Sequence, residues 1–396
     1  MMKLLVLSVS LLTLSSSAWA LSYSDLLPKI INKIPQKKQG ISYQALAKAN
    51  QKYANSWIAG DVELNLRHEN AGIIGNQSDN SWEFGARMPI WKSGQADSLE
   101  QLGSTYQTLA ELSNQTLRLT ASGKLRQLVW AYRKAQVQLT FAQQNLEQTQ
   151  SLVNFITQKV DAGESPKFDL LVAQKSKMQF QQTLSQQQAN FAIAKQNLIR
   201  WTGQDELPMP LAEKQVKVAG SHPQSELNRS LVEIEKARLS LIKAQKGANP
   251  SLFIGSRNEA AGDGSADKQF LIAEISLPLG LDPGADARSS EQNQLLTDAQ
   301  MRQTQVEQNL ALTILRAERN LQAAQEIEKL AQQQIGLSEE AMLLAETAYQ
   351  QGETTIQSLL LAKKQFFDDQ LNNELAKLNH LEAIANLNQA QGVILE

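Results

Sequence analysis

The residue types that usually bind metals or catalyse reactions are few and scattered in this sequence. It has no cysteine, and none of its three histidines, His68, His222 and His380, has a second histidine three or four residues away. Metal and nucleophile sites need such groups brought together, commonly by short spacings. The sequence also lacks a glycine-rich phosphate loop and a nucleophile elbow. We therefore predict no catalytic residue, no cofactor and no metal site, and we expect a protein that is not an enzyme.

One short piece of sequence occurs twice. Residues 163–174 read GESPKFDLLVAQ, and residues 352–363 read GETTIQSLLLAK. The spacing that carries Gly163 onto Gly352 also carries Leu170 onto Leu359, Ala173 onto Ala362 and Pro89 onto Pro278. Chance seldom keeps one spacing over so many residues, so we predict a tandem duplication and a pseudo-symmetric subunit rather than a solenoid of many short repeats.

The first twenty residues have the features of a secretory signal peptide. Lys3 precedes the apolar stretch LLVLSVSLLTL, and Ala18-Trp19-Ala20 matches a cleavage signal. The alternative is an uncleaved anchor helix, but the apolar stretch is short for the ~20 residues that a span needs. We therefore assign residues 1–20 to a signal peptide and expect the mature chain to be exported.

The charges are balanced, with 38 Lys and Arg against 40 Asp and Glu, a net charge of −2. Proteins that bind nucleic acid concentrate positive charge on one surface, so we predict no nucleic-acid partner. After the signal peptide, the sequence contains no run of ~18 apolar residues that could form a transmembrane helix. If the protein crosses a membrane, it must do so as a β-barrel.

Two long regions rich in good helix formers predict helical hairpins at about 95–201 and 289–392. In the first hairpin, a mostly apolar seam runs alternately three and four residues apart, the period of a coiled coil. This seam contains Leu125, Leu128, Tyr132, Ala135, Leu139, Ala142, Leu146, Thr149, Val153, Ile156 and Val160. The seam recurs at the spacing of the duplication and is interrupted in the second half by Glu328 and Ser338. Each long helix is therefore expected to fold back on the next.

The repeated pieces fall at the far ends of these hairpins, where the chain must turn. Gly163 and Gly352 suit the reversal, because glycine adopts the left-handed conformation that often ends a helix. We expect Ser165 or Thr354 to cap the returning helix, with Pro166 in its first turn. Turns alone explain the glycines and caps, whereas the shared Leu-Leu-x-Ala predicts that both tips pack in the same kind of assembly.

Before each long helix, apolar and polar residues alternate with the period of a β-strand. The predicted strands lie at about 61–69, 82–91, 251–259 and 269–280. Two soluble hairpins on a core are one interpretation. Strands of about 9–11 residues also fit a bilayer, but a sheet of four has open edges and cannot span one. Three chains would supply twelve strands.

This order of elements resembles the TolC-type outer-membrane efflux protein family over nearly the whole mature chain. The resemblance is carried by the first repeated piece ending in NLIRWTG (197–203), by the second ending in NLNQAQG (386–392), and by HPQSELNRS (222–230). The compact size and ISLPLG (275–280) resemble the heavy-metal cation efflux branch.

The resemblance implies a mainly α-helical protein with a membrane β-barrel portion. It implies two tandem repeats of helix, strand pair and long helical hairpin, at 21–203 and 222–396, joined by a linker at 204–221 on the belt of the tunnel. Three chains would form a homotrimer with a twelve-stranded β-barrel in the outer membrane of a Gram-negative bacterium. The helices would continue it as a tunnel through the periplasm.

The function that the resemblance implies is the outer-membrane exit duct of a tripartite efflux system. The duct would be a passive channel for small solutes such as drugs or metal ions. Its partners would be a periplasmic adaptor (membrane fusion) protein, a proton-driven inner-membrane transporter and outer-membrane lipid. A duct for type I protein secretion is the alternative, and a soluble periplasmic adaptor is a more distant one. Neighbouring genes would separate efflux from secretion.

The resemblance also assigns roles to residues at the tips. The expected adaptor-docking residues are Gly163, Glu164, Ser165, Gly352, Glu353 and Thr354. Asp169 is a candidate for lining the channel entrance, and stabilisation of its own helix end is the alternative. Family members often carry acids on the second tip helix, whereas Ser358 and Leu361 occupy those positions here.

Overall fold

The structure, a computed structural model, describes residues 21–70, 79–218, 220–260 and 265–396. The predicted signal peptide lies outside these residues. The helices are α1 (Tyr23–Ile31), α2 (Lys37–Ala54), α3 (Gln95–Asp161), α4 (Lys167–Thr202), α5 (Pro223–Ala244), α6 (Ala285–Gln350) and α7 (Ile356–Ala390). The strands are β1 (Glu63–Asn70), β2 (Asn80–Pro89), β3 (Ser251–Ala260) and β4 (Lys268–Ser276). The predicted combination of a mainly helical chain with a small sheet is confirmed.

Each half of the chain contributes one long helical hairpin. The 67-residue α3 folds back on α4, and the 66-residue α6 folds back on α7. At ~1.5 Å per residue, each long helix extends about 100 Å. Seam residues of α3 such as Leu125, Leu128 and Ile156 are buried, as the period of the sequence predicts. Among the described helices, none combines the length and the hydropathy that crossing a membrane requires.

Helix α6 has a second apolar face that no described part of the single chain covers. Ala317 and Leu321 pack against Ala383 and Leu387 of α7. Large apolar residues elsewhere on α6 are exposed: Leu295, Met301, Leu312, Leu315, Ile327, Leu330, Leu337, Leu343 and Leu344. A soluble helix in contact with one neighbour normally has one apolar stripe. Two stripes indicate that α6 packs between two neighbours.

The four strands form one antiparallel sheet in the order β1-β2-β3-β4. One face is apolar and exposed, with Leu64, Leu66, Trp82, Phe84, Ile254, Leu271 and Ile275. On the other face, the buried Phe253 ring lies over Gly85 and Gly255, and the Arg87 guanidinium sits 5.4 Å from the centre of that ring. A sheet with one bare apolar face and one polar face is expected where lipid meets water.

Several boundaries differ from the predicted ones. Strand β4 ends at Ser276 rather than near 280, because Pro278 has no amide hydrogen to donate and Gly280 turns the chain with a φ of 75°. In the segment before the strands, α2 spans Lys37–Ala54. It is preceded by α1, whose start is capped by a reciprocal pair of hydrogen bonds between Ser22 and Asp25.

Candidate functional site: the paired hairpin tips

The two hairpin tips have the same backbone conformation. Gly163 and Gly352 are left-handed, with φ of 78° and 77°. The amide of the following glutamate, Glu164 or Glu353, donates to the carbonyl five residues earlier, at 2.8 Å in both tips. This closure satisfies a carbonyl of the last helical turn, and it requires a residue that tolerates positive φ. The helix ends therefore explain the repeated glycine before any partner is considered, whereas any residue with an amide hydrogen could supply the bond made by Glu164 or Glu353.

The residues that cap the returning helices differ from those predicted. The N-cap of α4 is Pro166, which has no side chain that could accept a bond. The equivalent residue of the second tip, Thr355, caps α7 by accepting from the Ser358 amide at 3.3 Å. The prediction that Ser165 or Thr354 would cap was wrong, because the helices begin one residue further along.

The two tips pack on each other through one apolar cluster. Its buried members come from all four long helices: Leu152, Val153, Ile156, Ala173, Tyr349, Ile356 and Leu359. Within the repeated Leu-Leu-x-Ala, Ala173 and Leu359 are buried, whereas Leu171 and Leu361 are 56% and 68% exposed. The repeated apolar residues therefore join the hairpins, and each tip also directs one leucine outward.

The predicted docking residues divide into two groups by exposure. Gly163, Glu164, Gly352 and Glu353 are exposed, whereas Ser165 and Thr354 are half-buried. The Ser165 hydroxyl lies 3.5 Å from the Tyr349 hydroxyl, so the first tip touches α6 of the second hairpin. The exposed residues of the tip segments therefore include two carboxylates, Glu164 and Glu353, and two leucines, Leu171 and Leu361.

Asp169 lies in the first turn of α4, on the first tip. Its Oδ2 accepts a hydrogen bond from the Ser165 hydroxyl at 3.1 Å. A carboxylate in the first helical turn also interacts favourably with the helix dipole. These contacts give Asp169 a local role, and its place at the channel entrance stays a prediction.

A buried ion pair far from the tips was missed in the sequence. Arg126 of α3 is 2% exposed and donates two hydrogen bonds of 2.7 Å to the Glu213 carboxylate. Arg126 also donates to the Val393 carbonyl at 3.0 Å, and Asn388 donates to Glu213 at 3.1 Å. The pair therefore ties α3 to the linker between the repeats and to the C-terminal segment. A local sequence pattern could not have predicted this pair, because Arg126 and Glu213 are 87 residues apart in the chain.

The same region holds a buried tyrosine. The Tyr23 hydroxyl of α1 donates to the Leu211 carbonyl at 2.9 Å. Burial, and then the nearby Glu213 carboxylate, raise the pKa of Tyr23 well above its ordinary value of 10.0. The tyrosine therefore stays neutral. Its hydrogen bond to Leu211 connects the N-terminal helix α1 to the linker.

Among the described residues, no three His, Asp or Glu side chains lie close enough to hold a metal ion. A groove of about 880 Å³ between α3 and the α6–α7 hairpin is lined largely by uncharged side chains, including Thr116, Asn309, Ala383 and Asn386. Exposed apolar residues of the described chain include those at the hairpin tips, on the apolar face of the sheet and on the second apolar face of α6.

The sequence and the structure were compared with those of known proteins. No family model and no curated protein matches the sequence. Solved structures do match: a membrane protein from Pseudomonas aeruginosa has a TM-score of 0.73 at 15% identity over 94% of this chain and 91% of that one. The CmeC outer-membrane channel of Campylobacter jejuni has a TM-score of 0.71 at 12% identity, over 94% and 86%.

The outer-membrane protein VceC of Vibrio cholerae gives a TM-score of 0.71 at 14% identity, over 93% of this chain and 95% of that one. These similarities extend over nearly the whole of each chain. The chain therefore has the fold of these outer-membrane proteins, and the resemblance inferred from the sequence is confirmed for the fold. The matched structures are described as channels and membrane proteins rather than as enzymes.

Proposed function

We propose that this protein is a TolC-type outer-membrane efflux protein and acts as the exit duct of a tripartite efflux system. It would be a passive channel that carries small solutes, drugs or metal ions, from the periplasm to the exterior of a Gram-negative cell. The structurally similar CmeC and VceC are described as an outer-membrane channel and an outer-membrane protein, which supports this location.

The main observation in support of the proposal is the exposed apolar face and the open edges of the β-sheet. Its apolar face is bare, its opposite face is polar, and within the described residues β1 and β4 each have an open edge. Open edges are not tolerated in lipid, so several chains must close the sheet. Three chains give a twelve-stranded β-barrel, and the second apolar face of α6 then has a neighbouring chain to cover it. The proposed assembly is therefore a homotrimer.

The helical hairpins would extend the barrel as a tunnel into the periplasm. The tips would then meet a periplasmic adaptor protein, which connects the duct to a proton-driven inner-membrane transporter. Glu164, Glu353 and the outward leucines supply the exposed docking surface. Three Asp169 carboxylates, one from each chain, would come together at the tunnel entrance.

The experiment is purification in detergent followed by reconstitution into planar bilayers. We expect a particle of three chains that dissociates only on heating, and discrete conductance steps after insertion. The Asp169→Asn trimer should show a weaker preference for cations than the wild-type trimer. A water-soluble monomer with all its strand signal would overturn the proposal.

The alternative, a duct for type I protein secretion, uses the same architecture. A strain lacking this gene would separate the two. Accumulation of a fluorescent drug or sensitivity to metal ions supports efflux, whereas loss of one large polypeptide from the medium supports secretion.

A further inference from the structure

The turn between α1 and α2 carries a strongly one-sided charge. From Leu26 to Gly60 the sequence contains six lysines and no aspartate, glutamate or arginine, although the whole chain has 38 basic and 40 acidic residues. We propose that the lysines at this turn bind the carboxylates of the peptidoglycan wall. The inference rests on the proposed function, because it requires a duct that crosses the periplasm.

Four of these lysines surround the turn and are called the basic turn: Lys29, Lys33, Lys37 and Lys38. Lys29 lies in the last turn of α1, and Lys37 and Lys38 begin α2. Lys33, Lys37 and Lys38 are exposed, and Lys29 is half-buried. The Lys33 ammonium donates to the carbonyl of Arg200, so the end of α4 brings a fifth basic residue, also exposed, to the turn. The turn is therefore a local positive surface.

The exposed lysines of the basic turn have no acidic neighbour at helical spacing. In α5, three basic residues each pair with a glutamate three residues earlier. Lys33, Lys37 and Lys38 have no acidic residue three or four positions away in either direction. Lys33 and Lys37 donate instead to neutral oxygens, the Arg200 carbonyl and Asn32 Oδ1, the latter at 2.8 Å. Their charges therefore remain available to an external anion.

The position of Lys37 and Lys38 is unfavourable for α2 itself. Both lie in its first turn, which has no acidic residue, and the N-cap Gln36 makes no side-chain cap bond. The start of a helix carries a partial positive charge, so it attracts anions and repels lysine. Helices α1, α3, α4, α5 and α6 each have an acidic residue in the first turn. The two lysines therefore have no local benefit that would explain them.

The basic turn lies too far from the sheet to contact lipid headgroups. Helix α2 packs along α3 and carries the chain from the basic turn towards β1. Its 18 residues extend ~27 Å at ~1.5 Å per residue. The headgroup layer adds only ~5–8 Å to each side of the hydrocarbon core. With the sheet in the membrane, the anion that meets the basic turn must come from the periplasm.

Peptidoglycan is the anionic polymer of the Gram-negative periplasm, and its stem peptides carry free carboxylates along every glycan strand. A lysine ammonium is a flexible point charge that suits such scattered carboxylates, whereas one fixed anion favours the planar fork of arginine. A trimer would present three basic turns, so that weak contacts act together. The chemistry of the turn therefore fits the wall better than a single small anion.

The basic turn is also far from the tips proposed to bind the adaptor. Close to the turn in α2, a Cβ on Gly40 would come within 3.0 Å of Asn114 Oδ1 of α3. The first tip follows the end of α3 at Asp161. At ~1.5 Å per residue, the stretch of α3 between these points extends ~70 Å. One duct could therefore hold the wall and the adaptor at the same time.

The test is co-sedimentation of the detergent-purified protein with isolated peptidoglycan sacculi. We expect wild-type trimers to sediment with the sacculi at low salt and to be released as salt is added. The variant Lys37→Gln with Lys38→Gln should bind several-fold less. The matched control, Lys48→Gln with Lys52→Gln, removes the same charge from exposed positions of the same helix, about three turns nearer the sheet, and should bind as the wild type does.

A second sample tests the chemistry of the ligand. Sacculi whose carboxyl groups have been converted to neutral amides should retain little wild-type protein. Equal retention by amidated and native sacculi would contradict carboxylate binding. Equal binding by the two double variants would show that the basic turn is not the site. Conducting trimers that do not sediment would overturn this inference alone, whereas monomers would overturn the proposed function.

The basic turn must also stay open in the assembled protein. The variant Lys38→Cys provides a single thiol, because the chain has no native cysteine. We expect a bulky maleimide to label this thiol in intact trimers as completely as in unfolded protein. A thiol that reacts only after the trimer is dissociated would show that a neighbouring chain covers the turn, and the wall could not then reach it.

Discussion

At Arg126, one buried guanidinium holds three distant parts of the chain together. It contacts the linker through Glu213, the C-terminal segment through the Val393 carbonyl and α7 through Gln389. All three partners lie in the second half of the sequence or in the linker before it. The residues next to Arg126 in the sequence therefore do not predict these contacts. Such a pair is costly to break from one side, because the remaining charge stays buried without its partner.

Arg126→Met should therefore destabilise the folded chain by ~3–5 kcal/mol, the usual range for loss of one partner of a buried pair. Combining it with Glu213→Leu removes the stranded carboxylate and should restore part of this loss. Chemical denaturation in detergent, followed by circular dichroism, measures both. Equal destabilisation by the single and double variants would show that the buried charge is not the cause.

The helical hairpins were predictable because their seams keep the period of a coiled coil over many turns, and the duplication presents the pattern twice. The residues at which the helices and strands end were not predictable in the same way. The caps lie at Pro166 and Thr355, one residue beyond the expected positions, because α4 begins at Lys167 and α7 begins at Ile356. The pairing of β2 with β3 could not be predicted from the sequence either, because α3, α4 and α5 all lie between these strands in the chain.

His222 begins helix α5, and its Nδ1 accepts a hydrogen bond from the Gln224 amide at 3.1 Å. Burial lowers the pKa of His222 below its ordinary value of 6.5. The unfolded chain therefore binds this proton at a higher pH than the folded chain. The stability contributed by neutral His222 is complete above pH 6.5 and is lost as the pH falls through the lowered pKa.

The variant His222→Asn keeps a side-chain acceptor at the cap but does not titrate. We expect wild-type protein to lose more thermal stability than this variant when the pH is lowered below 6.5. Unfolding midpoints across a pH series in detergent measure the difference. Identical pH dependence in the two proteins would contradict a role for His222.

The tips are the elements proposed to bind the adaptor. Arginine at Ser165 would disturb the fold, because this side chain contacts both Asp169 and Tyr349. Glu164→Arg with Glu353→Arg changes exposed positions only and should abolish adaptor cross-linking and efflux while trimers still form. Six near-equivalent tips in a trimer would make the loss large, since weak contacts act together. Glu318→Arg, at an exposed position of α6 far from the tips, is the control and should leave efflux normal.

For the whole molecule, the two faces of the sheet must meet different surroundings. Leu66 lies on the apolar face and is 69% exposed, and the adjacent Asn65 lies on the polar face. Gly85 also lies on the polar face, but a side chain there would collide with the Phe253 ring, since its Cβ would come within 2.4 Å of a ring carbon. Asn65 is therefore the better comparison for testing which face meets lipid.

Leu66→Arg would place a charge in the lipid at a cost of ~2–4 kcal/mol per chain near the bilayer centre, and a trimer carries three copies. Asn65→Arg would place the same charge in the aqueous bore, where it remains hydrated. We expect Leu66→Arg to prevent the appearance of heat-sensitive trimers in outer-membrane fractions, whereas Asn65→Arg inserts normally. In planar bilayers, Asn65→Arg should still conduct, with a weaker preference for cations because three positive charges then line the bore. If both variants insert equally well, Leu66 does not meet lipid, and the assignment of the two faces of the sheet is wrong.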